Sequence, residues 1–200
     1  MRMGGIVLCG GESRRMGSPK ALLPFGPETM LERIVRILEG SLSPMVVVSA
    51  PEQKIPDLPS SIRRVQDDIP GRGPVQGLVS GLGALEAEVD AAFVCSCDLP
   101  LLTSDLIAHL VELALPGMLT IPEIEGRRQP LCAVYPVNAL GTLEQMLAES
   151  CFRLSAIADR VPARVIQEDE FLSVDPQLHC FTNVNSEDTY REALALAGLG

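Results

Sequence analysis

The sequence predicts an α/β protein built on a mixed, mostly parallel sheet with helices on both faces, and three observations lead there. Short apolar runs recur at residues 5–9, 45–49 and 91–95, each of strand length and apolar on both sides. Strands covered by helices on both faces read this way, because neither face meets water. Stretches with helical spacing lie between the runs, and the order strand, helix, strand, helix implies right-handed crossovers.

Taken along the chain, the strand at 5–9 is followed by a helix over 29–38, where Met30, Ile34, Ile37 and Leu38 share a face. Thr29 and Glu32 form a capping-box pattern at its start. A second strand follows at 45–49 and a third, less apolar, at 62–65. The helix over 75–85 places Leu78, Leu82 and Leu85 at helical intervals before the strand at 91–95. Thr103 is a suitable N-cap for a helix running to about Leu115. The pattern then changes: 118–122 and 130–135 are strand-like, joined by 123–129, and read as an antiparallel hairpin or inserted ribbon. A further strand at 161–167 and an Ala- and Leu-rich helix over about 186–197 complete the chain. With no repeat or low-complexity tract, and with Pro and Gly confined to loops, residues 1–200 are expected to form one domain.

Composition removes several classes of function. The chain has 200 residues, 46% hydrophobic and 21% charged, enough for a substantial core. Sixteen Lys and Arg stand against 26 Asp and Glu, a formal charge of −10 that repels polyanions. Aromatic residues are 4% of the chain and Trp is absent, so the stacking platforms of single-strand binders are missing. Nucleic acid is not an expected partner. No apolar run approaches the roughly 20 residues that span a bilayer, and 1–9 lacks a signal-peptide pattern. No membrane association is expected, and the cytoplasm is the expected compartment. Cys9, Cys95, Cys97, Cys132, Cys151 and Cys180 lie in apolar surroundings and read as buried thiols. Cys95 and Cys97 do not have the spacing of a zinc knuckle, and His109 and His179 are far apart, so no structural zinc site is expected.

In sheets of this kind ligands bind beyond the carboxyl ends of the strands, and the loops there carry the unusual residues. The first runs Gly10-Gly11-Glu12-Ser13-Arg14-Arg15-Met16-Gly17-Ser18-Pro19-Lys20. Its glycines let backbone N–H groups approach an anion, and Arg15 and Lys20 add positive charge to an acidic protein. The pattern suits an oligophosphate cradle, yet it is neither the dinucleotide fingerprint nor a P-loop. After the strand at 91–95 comes Ser96-Cys97-Asp98-Leu99-Pro100. Asp98 is placed to serve as a turn aspartate or as ligand to a hard cation such as magnesium, which uses one or two protein carboxylates with phosphate and water. Its position opposite the glycine loop favours the metal. The third loop, 67–77, is glycine-rich and enters a helix carrying Gly77 and Gly81, small either to admit a ligand or to pack on the sheet. Asn183 and Asn185 precede the last helix, where each suits capping or binding of metal or phosphate, with capping the default for Asn185.

Together these segments resemble the molybdenum cofactor guanylyltransferases of the nucleotidyltransferase superfamily. Leu8 to Lys20 matches the pattern L-x-G-G-x-S-x-R-M-G-x-x-K. Asp68 with Pro70-Gly71-Arg72-Gly73-Pro74, Cys97-Asp98-Leu99-Pro100 and Asn183-Val184-Asn185 resemble the family's later motifs in order, from Leu8 to about Tyr190. The resemblance implies a Rossmann-like nucleotidyltransferase fold of the glycosyltransferase-A type. It implies transfer of GMP from GTP to molybdenum-loaded molybdopterin, with release of pyrophosphate and Mg2+ as cofactor. Transient contact with molybdoenzyme chaperones or other cofactor-biosynthesis proteins goes with that role. By the same resemblance, Leu8, Cys9, Gly10 and Gly11 would meet the nucleotide, Arg15 and Lys20 the triphosphate, Asp68 the guanosine and Asp98 the metal. Arg128, Gln129, Pro130, Asn183 and Asn185 would face molybdopterin. Arg15, Lys20 and Asp98 would carry catalysis by neutralising and aligning charge.

The sequence departs from the family at Ser49-Ala50-Pro51-Glu52, where an asparagine is usual, and at Gln76, where a small residue is usual. A cytidylyltransferase on the same cofactor, a guanylyltransferase on another phosphorylated acceptor and a silent nucleotide-binding protein are the competing readings. Gly10-Gly11, in place of the Ala-Gly of cytidylyl relatives, favours guanine. Retention of Lys20 and Asp98 favours an enzyme.

Overall fold

The computed structural model describes residues 1–9, 19–67, 69 and 72–200. Strand β1 (Met3–Leu8) runs through the middle of the sheet, and two short strands, β2 (Pro24–Phe25) and β3 (Glu28–Thr29), form a separate antiparallel ladder. Helix α1 (Met30–Glu39) leads to β4 (Met45–Ser49), which pairs in parallel with β1 and with β5 (Ile62–Gln66). After α2 (Gly73–Gly83), strand β6 (Ala91–Ser96) pairs in parallel with the other side of β1. Helix α3 (Ser104–Leu113) then precedes β7 (Leu119–Ile124), β8 (Arg127–Arg128) and β9 (Cys132–Pro136). Helix α4 (Leu140–Ala148), β10 (Ala163–Ile166) and α5 (Glu187–Leu196) complete the described elements. The sheet order is β10-β7-β9-β6-β1-β4-β5, with β8 paired to β7. Along that path β9 is the reversed strand, antiparallel to both β6 and β7, while β10 is again parallel to β7.

Alternation along the central strands produces the two cores. Val7, Val47, Phe93 and Val134 pack on one face with Leu31 and Ile34 of α1 and Leu106 and Leu110 of α3. Ile6, Val46, Val94 and Tyr135 pack on the other with Leu78 and Leu82 of α2 and Leu143 and Met146 of α4. Full burial of each such aliphatic or aromatic side chain is worth about 1.5–3 kcal/mol, which is why these strands are apolar on both sides.

Helix starts follow the expected chemistry. Thr29 Oγ1 accepts from Glu32 N at 3.3 Å, and Glu32 Oε2 accepts from Thr29 N at 2.7 Å, closing the capping box of α1. Thr103 Oγ1 accepts from Leu106 N at 3.3 Å to cap α3.

The structure refines the expectations for residues 77–160. The turn after β7 is Glu125-Gly126, both at positive φ, and it pairs Glu123 with Arg128 of β8. The strand at 132–136 pairs antiparallel with β7, as a hairpin on 118–122 requires, and as β9 it also pairs antiparallel with β6, so that it lies inside the sheet with both faces buried. Helix α4 lies in 136–160, to which the sequence pattern assigns no element; its nine residues are too few to display a clear stripe. Of Gly77 and Gly81 in α2, only Gly81 is required by packing on the sheet. A Cβ on Gly81 would stand 2.8 Å from Ile6 Cγ2, and one on Gly77 would stand 3.5 Å from Leu8 Cδ2.

Candidate active site

The parallel strands end in a row of backbone contacts that presents their loops on one edge. Asp67 N donates to Ser49 O at 2.8 Å, Cys9 N to Val48 O at 2.9 Å and Cys97 N to Leu8 O at 3.1 Å. Asp98 follows immediately from the end of β6. Its carbonyl accepts from Val184 N at 2.9 Å, which draws 183–185 across the strand ends. Val184 is fully buried against Leu23, Phe25, Met30 and Ala193, so an apolar anchor stands between the two asparagines. Lys20 opens a short 3-10 turn, Lys20–Leu22.

These segments converge on one constellation. Lys20 Nζ donates to Asp98 Oδ2 at 2.9 Å and to Asn185 Oδ1 at 2.6 Å. Ser96 Oγ donates to Asp98 Oδ1. The Lys20 and Asp98 side chains are 20% and 17% exposed, sheltered enough that water screens the pair only in part. Asn185 is not the cap of α5: Ser186 holds that place, accepting from Thr189 N at 3.2 Å, and this leaves the Asn185 carboxamide for Lys20. The strap bearing the asparagines is held from beneath by the buried carboxylate of Asp175. Its oxygens accept from His179 N at 3.1 Å and Cys180 N at 2.8 Å.

Other expected site residues fall into three groups. Leu8 and Cys9 lie at the edge with their backbone engaged, since Cys9 O accepts from Gln53 Nε2 at 2.6 Å. Asn183 is beside the constellation in the chain and donates from Nδ2 to Phe181 O at 3.2 Å. Leu131 O accepts from Ser96 N at 3.2 Å, which brings Gln129 and Pro130 towards the end of β6. Pro130 O accepts from Tyr135 Oη at 2.8 Å, and Gln129 Nε2 donates back to Arg127 O at 3.1 Å. The Arg128 guanidinium is engaged away from the constellation, donating to Asp159 Oδ1 at 2.7 Å. Gly10, Gly11, Arg15 and Asp68 lie outside the described residues.

Two participants escape a reading of the sequence. Ser96, the last residue of β6, gives no pattern of its own until Asp98 folds back towards it. Gln53 bridges Ala50 N, at 3.0 Å, and the Cys9 carbonyl, tying the segment after β4 to the mouth of the glycine loop. A long amide side chain three residues beyond a strand end is the only hint.

The chemistry available at this edge is that of fixed charges. Burial raises the Cys9 thiol to about 12 and holds Cys97 well above its ordinary range, so neither supplies a thiolate nucleophile near neutrality. Among the described residues no three His, Cys, Asp or Glu side chains gather as a metal cluster. The oxygens of Asp98 and Asn185 nevertheless suit a hard cation that takes its remaining ligands from phosphate and water. A lysine ammonium already sits between them, a cation where a cation would bind.

The family model for the MobA-like NTP transferase domain matches residues 5–164. The chain belongs to the MobA-like NTP transferase family. This MobA-like chain is 38% identical over 202 aligned residues to a probable molybdenum cofactor guanylyltransferase of Mycobacterium avium, covering 98% of this chain and 97% of that one. A protein of the same description from Mycobacterium tuberculosis is 37% identical over 92% of this chain and 89% of its own. Among solved structures, molybdopterin-guanine dinucleotide biosynthesis protein A of Archaeoglobus fulgidus superposes with a TM-score of 0.75 at 22% identity, covering 99% of both chains. The 2-C-methyl-D-erythritol 4-phosphate cytidylyltransferase of Thermus thermophilus gives 0.70 at 16% identity, over 99% of this chain and 100% of that one. The MobA-like sheet is thus the nucleotidyltransferase fold expected of the sequence. No helix among the described residues is long and apolar enough to cross a membrane.

Proposed function

We propose that the 200 residues act as one nucleotidyltransferase domain that transfers GMP from GTP to molybdenum-loaded molybdopterin. The observation that carries this reading is the meeting of Lys20, Asp98 and Asn185 beyond the carboxyl ends of the parallel strands. The full-length relatives named molybdenum cofactor guanylyltransferase supply the base and the acceptor.

In this reading an oxygen of the molybdopterin phosphate attacks the α-phosphorus of GTP. The new P–O bond forms as the α–β bridging bond breaks and pyrophosphate leaves. The attacking phosphate is ionised near neutrality, so the protein's task is to align two anions and neutralise them. Lys20 neutralises the triphosphate, with Arg15 and the backbone of Gly10 and Gly11 beside it. Leu8 and Cys9 form the floor under the nucleoside, and Asp68 holds the guanosine. Asp98, oriented by Ser96, holds the divalent metal, magnesium, with Asn185 as a further oxygen. When bound, the ion withdraws charge from the phosphates as pyrophosphate departs. Asn183, Asn185, Gln129 and Pro130 line the acceptor side. Arg128 serves that side only after releasing Asp159, and the family role brings transient contact with proteins that receive the cofactor.

The same fold carries a cytidylyltransferase in T. thermophilus, so the base is tested directly. Incubation with Mg2+, molybdenum-loaded molybdopterin and GTP, CTP or ATP is expected to give the dinucleotide and pyrophosphate with GTP. Preference for CTP would move the assignment to a cytidylyltransferase. Nucleotide binding without turnover on any phosphorylated acceptor would leave a silent binding protein.

A further inference from the structure

The contact between Lys20 and Asp98 has a consequence beyond charge neutralisation, and it rests on the reading of Asp98 as the metal ligand. Both carboxylate oxygens already have donors: Oδ2 receives Lys20 Nζ at 2.9 Å, and Oδ1 receives Ser96 Oγ. The same Nζ also holds Asn185 Oδ1 at 2.6 Å. The oxygens that would coordinate a divalent cation are therefore the ones occupied by the ammonium. A metal such as magnesium needs its oxygens at about 2.0–2.1 Å, and it repels a neighbouring ammonium strongly in a partly dry site.

We propose that Lys20 occupies the metal's seat in the substrate-free protein, and that metal enters only as the nucleotide triphosphate draws the lysine away. The Asp98 carboxylate keeps a cationic partner throughout the exchange. Lys20 leaves two oxygens for phosphate oxygens, and the vacated oxygens of Asp98 and Asn185 would hold the metal, whose additional positive charge is offset by the incoming triphosphate. Lysine suits this task because its ammonium is a point charge on a flexible four-carbon stem, with no fixed fork to reposition. Metal and triphosphate then assist each other, and by linkage the assistance is reciprocal. Nucleotide-free protein loads metal poorly, which keeps the site from filling before the substrate arrives.

The test uses the full chain and Mn2+, whose free form is read by electron paramagnetic resonance. Without nucleotide, Lys20→Met is expected to bind Mn2+ at least tenfold more tightly than wild type. The factor by which GTP tightens Mn2+ binding is expected to be at least tenfold smaller in the variant. Lys20→Gln should behave as Lys20→Met, which separates loss of charge from a packing defect, and thermal melting confirms that both fold. Adding Asp98→Asn to Lys20→Met should abolish the gain in Mn2+ affinity. Equal Mn2+ affinity in wild type and both lysine variants, lost with Asp98→Asn, would overturn the exchange and leave the metal reading standing. Absence of Asp98-dependent Mn2+ binding even with GTP present would overturn the metal reading and the exchange with it.

Discussion

Lys20 and Asn185 stand 165 positions apart in the chain and share a 2.6 Å hydrogen bond. That bond closes the carboxy-terminal strap over the end of the glycine loop, with Asp98 as the third corner. In Asn185→Ala the strap keeps its Val184 anchor and its Ser186 cap, but Lys20 loses an acceptor. The Asn185 oxygen is also proposed to hold the metal once Lys20 has moved to the phosphates, and losing one contact to a charged group, about 1.5–3 kcal/mol, is expected to lower guanylyl transfer roughly 10- to 100-fold. The melting temperature should fall by no more than several degrees, at about 2–4 °C for each kcal/mol lost with the bond to Lys20. Steady-state kinetics and a thermal melt decide this, and unchanged kinetics would remove Asn185 from the site.

Asp175 acts on stability. Its carboxylate is 8% exposed and accepts from two backbone N–H groups, at residues 179 and 180. Asp175→Ala leaves both donors without their partner, at a cost of about 1–3 kcal/mol for each buried group left unsatisfied. For a chain of this size each kcal/mol lowers the melting temperature by about 2–4 °C. Calorimetry should therefore show a fall of several degrees, and a fall of under one degree would mean that water replaces the carboxylate.

Gly77 and Gly81 of α2 should respond in opposite ways. Gly81→Ala puts a Cβ within 2.8 Å of Ile6 Cγ2 and 3.2 Å of Val48 Cγ2, both on buried strands. Overpacking of that kind costs about 1–3 kcal/mol. Gly77→Ala meets nothing closer than 3.5 Å, and alanine is the better helix former by about 1 kcal/mol. Urea denaturation of both variants is expected to show the first weakened and the second equal to or firmer than wild type.

Alkaline pH should unfold the protein through its buried thiols. Burial raises Cys9 and Cys180 from 9.0 to about 12, so above pH 9 the unfolded chain loses these protons before the folded one does. Stability contributed by the protonated thiols is complete below pH 9 and is lost as pH rises from 9 towards 12. Each such thiol contributes a slope of up to about 1.4 kcal/mol per pH unit in that window. Urea midpoints at pH 8, 9 and 10 should be similar for the first two and lower at the third. Native thiol labelling near pH 8 should reach Cys151 first, because the other five cysteines are buried.

Much of this architecture was legible in the residues because local chemistry specified it. The strands at 45–49 and 91–95 needed burial on both faces, and the capping boxes and N-caps at Thr29 and Thr103 depend on spacings of three residues. Asp98 and Lys20 were legible as candidate site residues because charged side chains stand at loop positions where strand ends expose backbone, and the structure brings them together. Periodicity could not reveal that 132–136 inserts between β6 and β7, since a strand buried on both faces reads alike in a hairpin or in the middle of a sheet.

From the residues alone came the fold class, the strand ends as the candidate site and the resemblance from which the reaction is proposed. Tertiary structure alone decided which partner each polar group takes. It gave the α5 cap to Ser186 and Asn185 to Lys20, turned Arg128 towards Asp159, and set Gln53 against Cys9. The physical reason is range. Caps and strand patterns are written in neighbours a few residues apart, whereas an ion pair between residues 20 and 98 exists only once the sheet has brought their loops together.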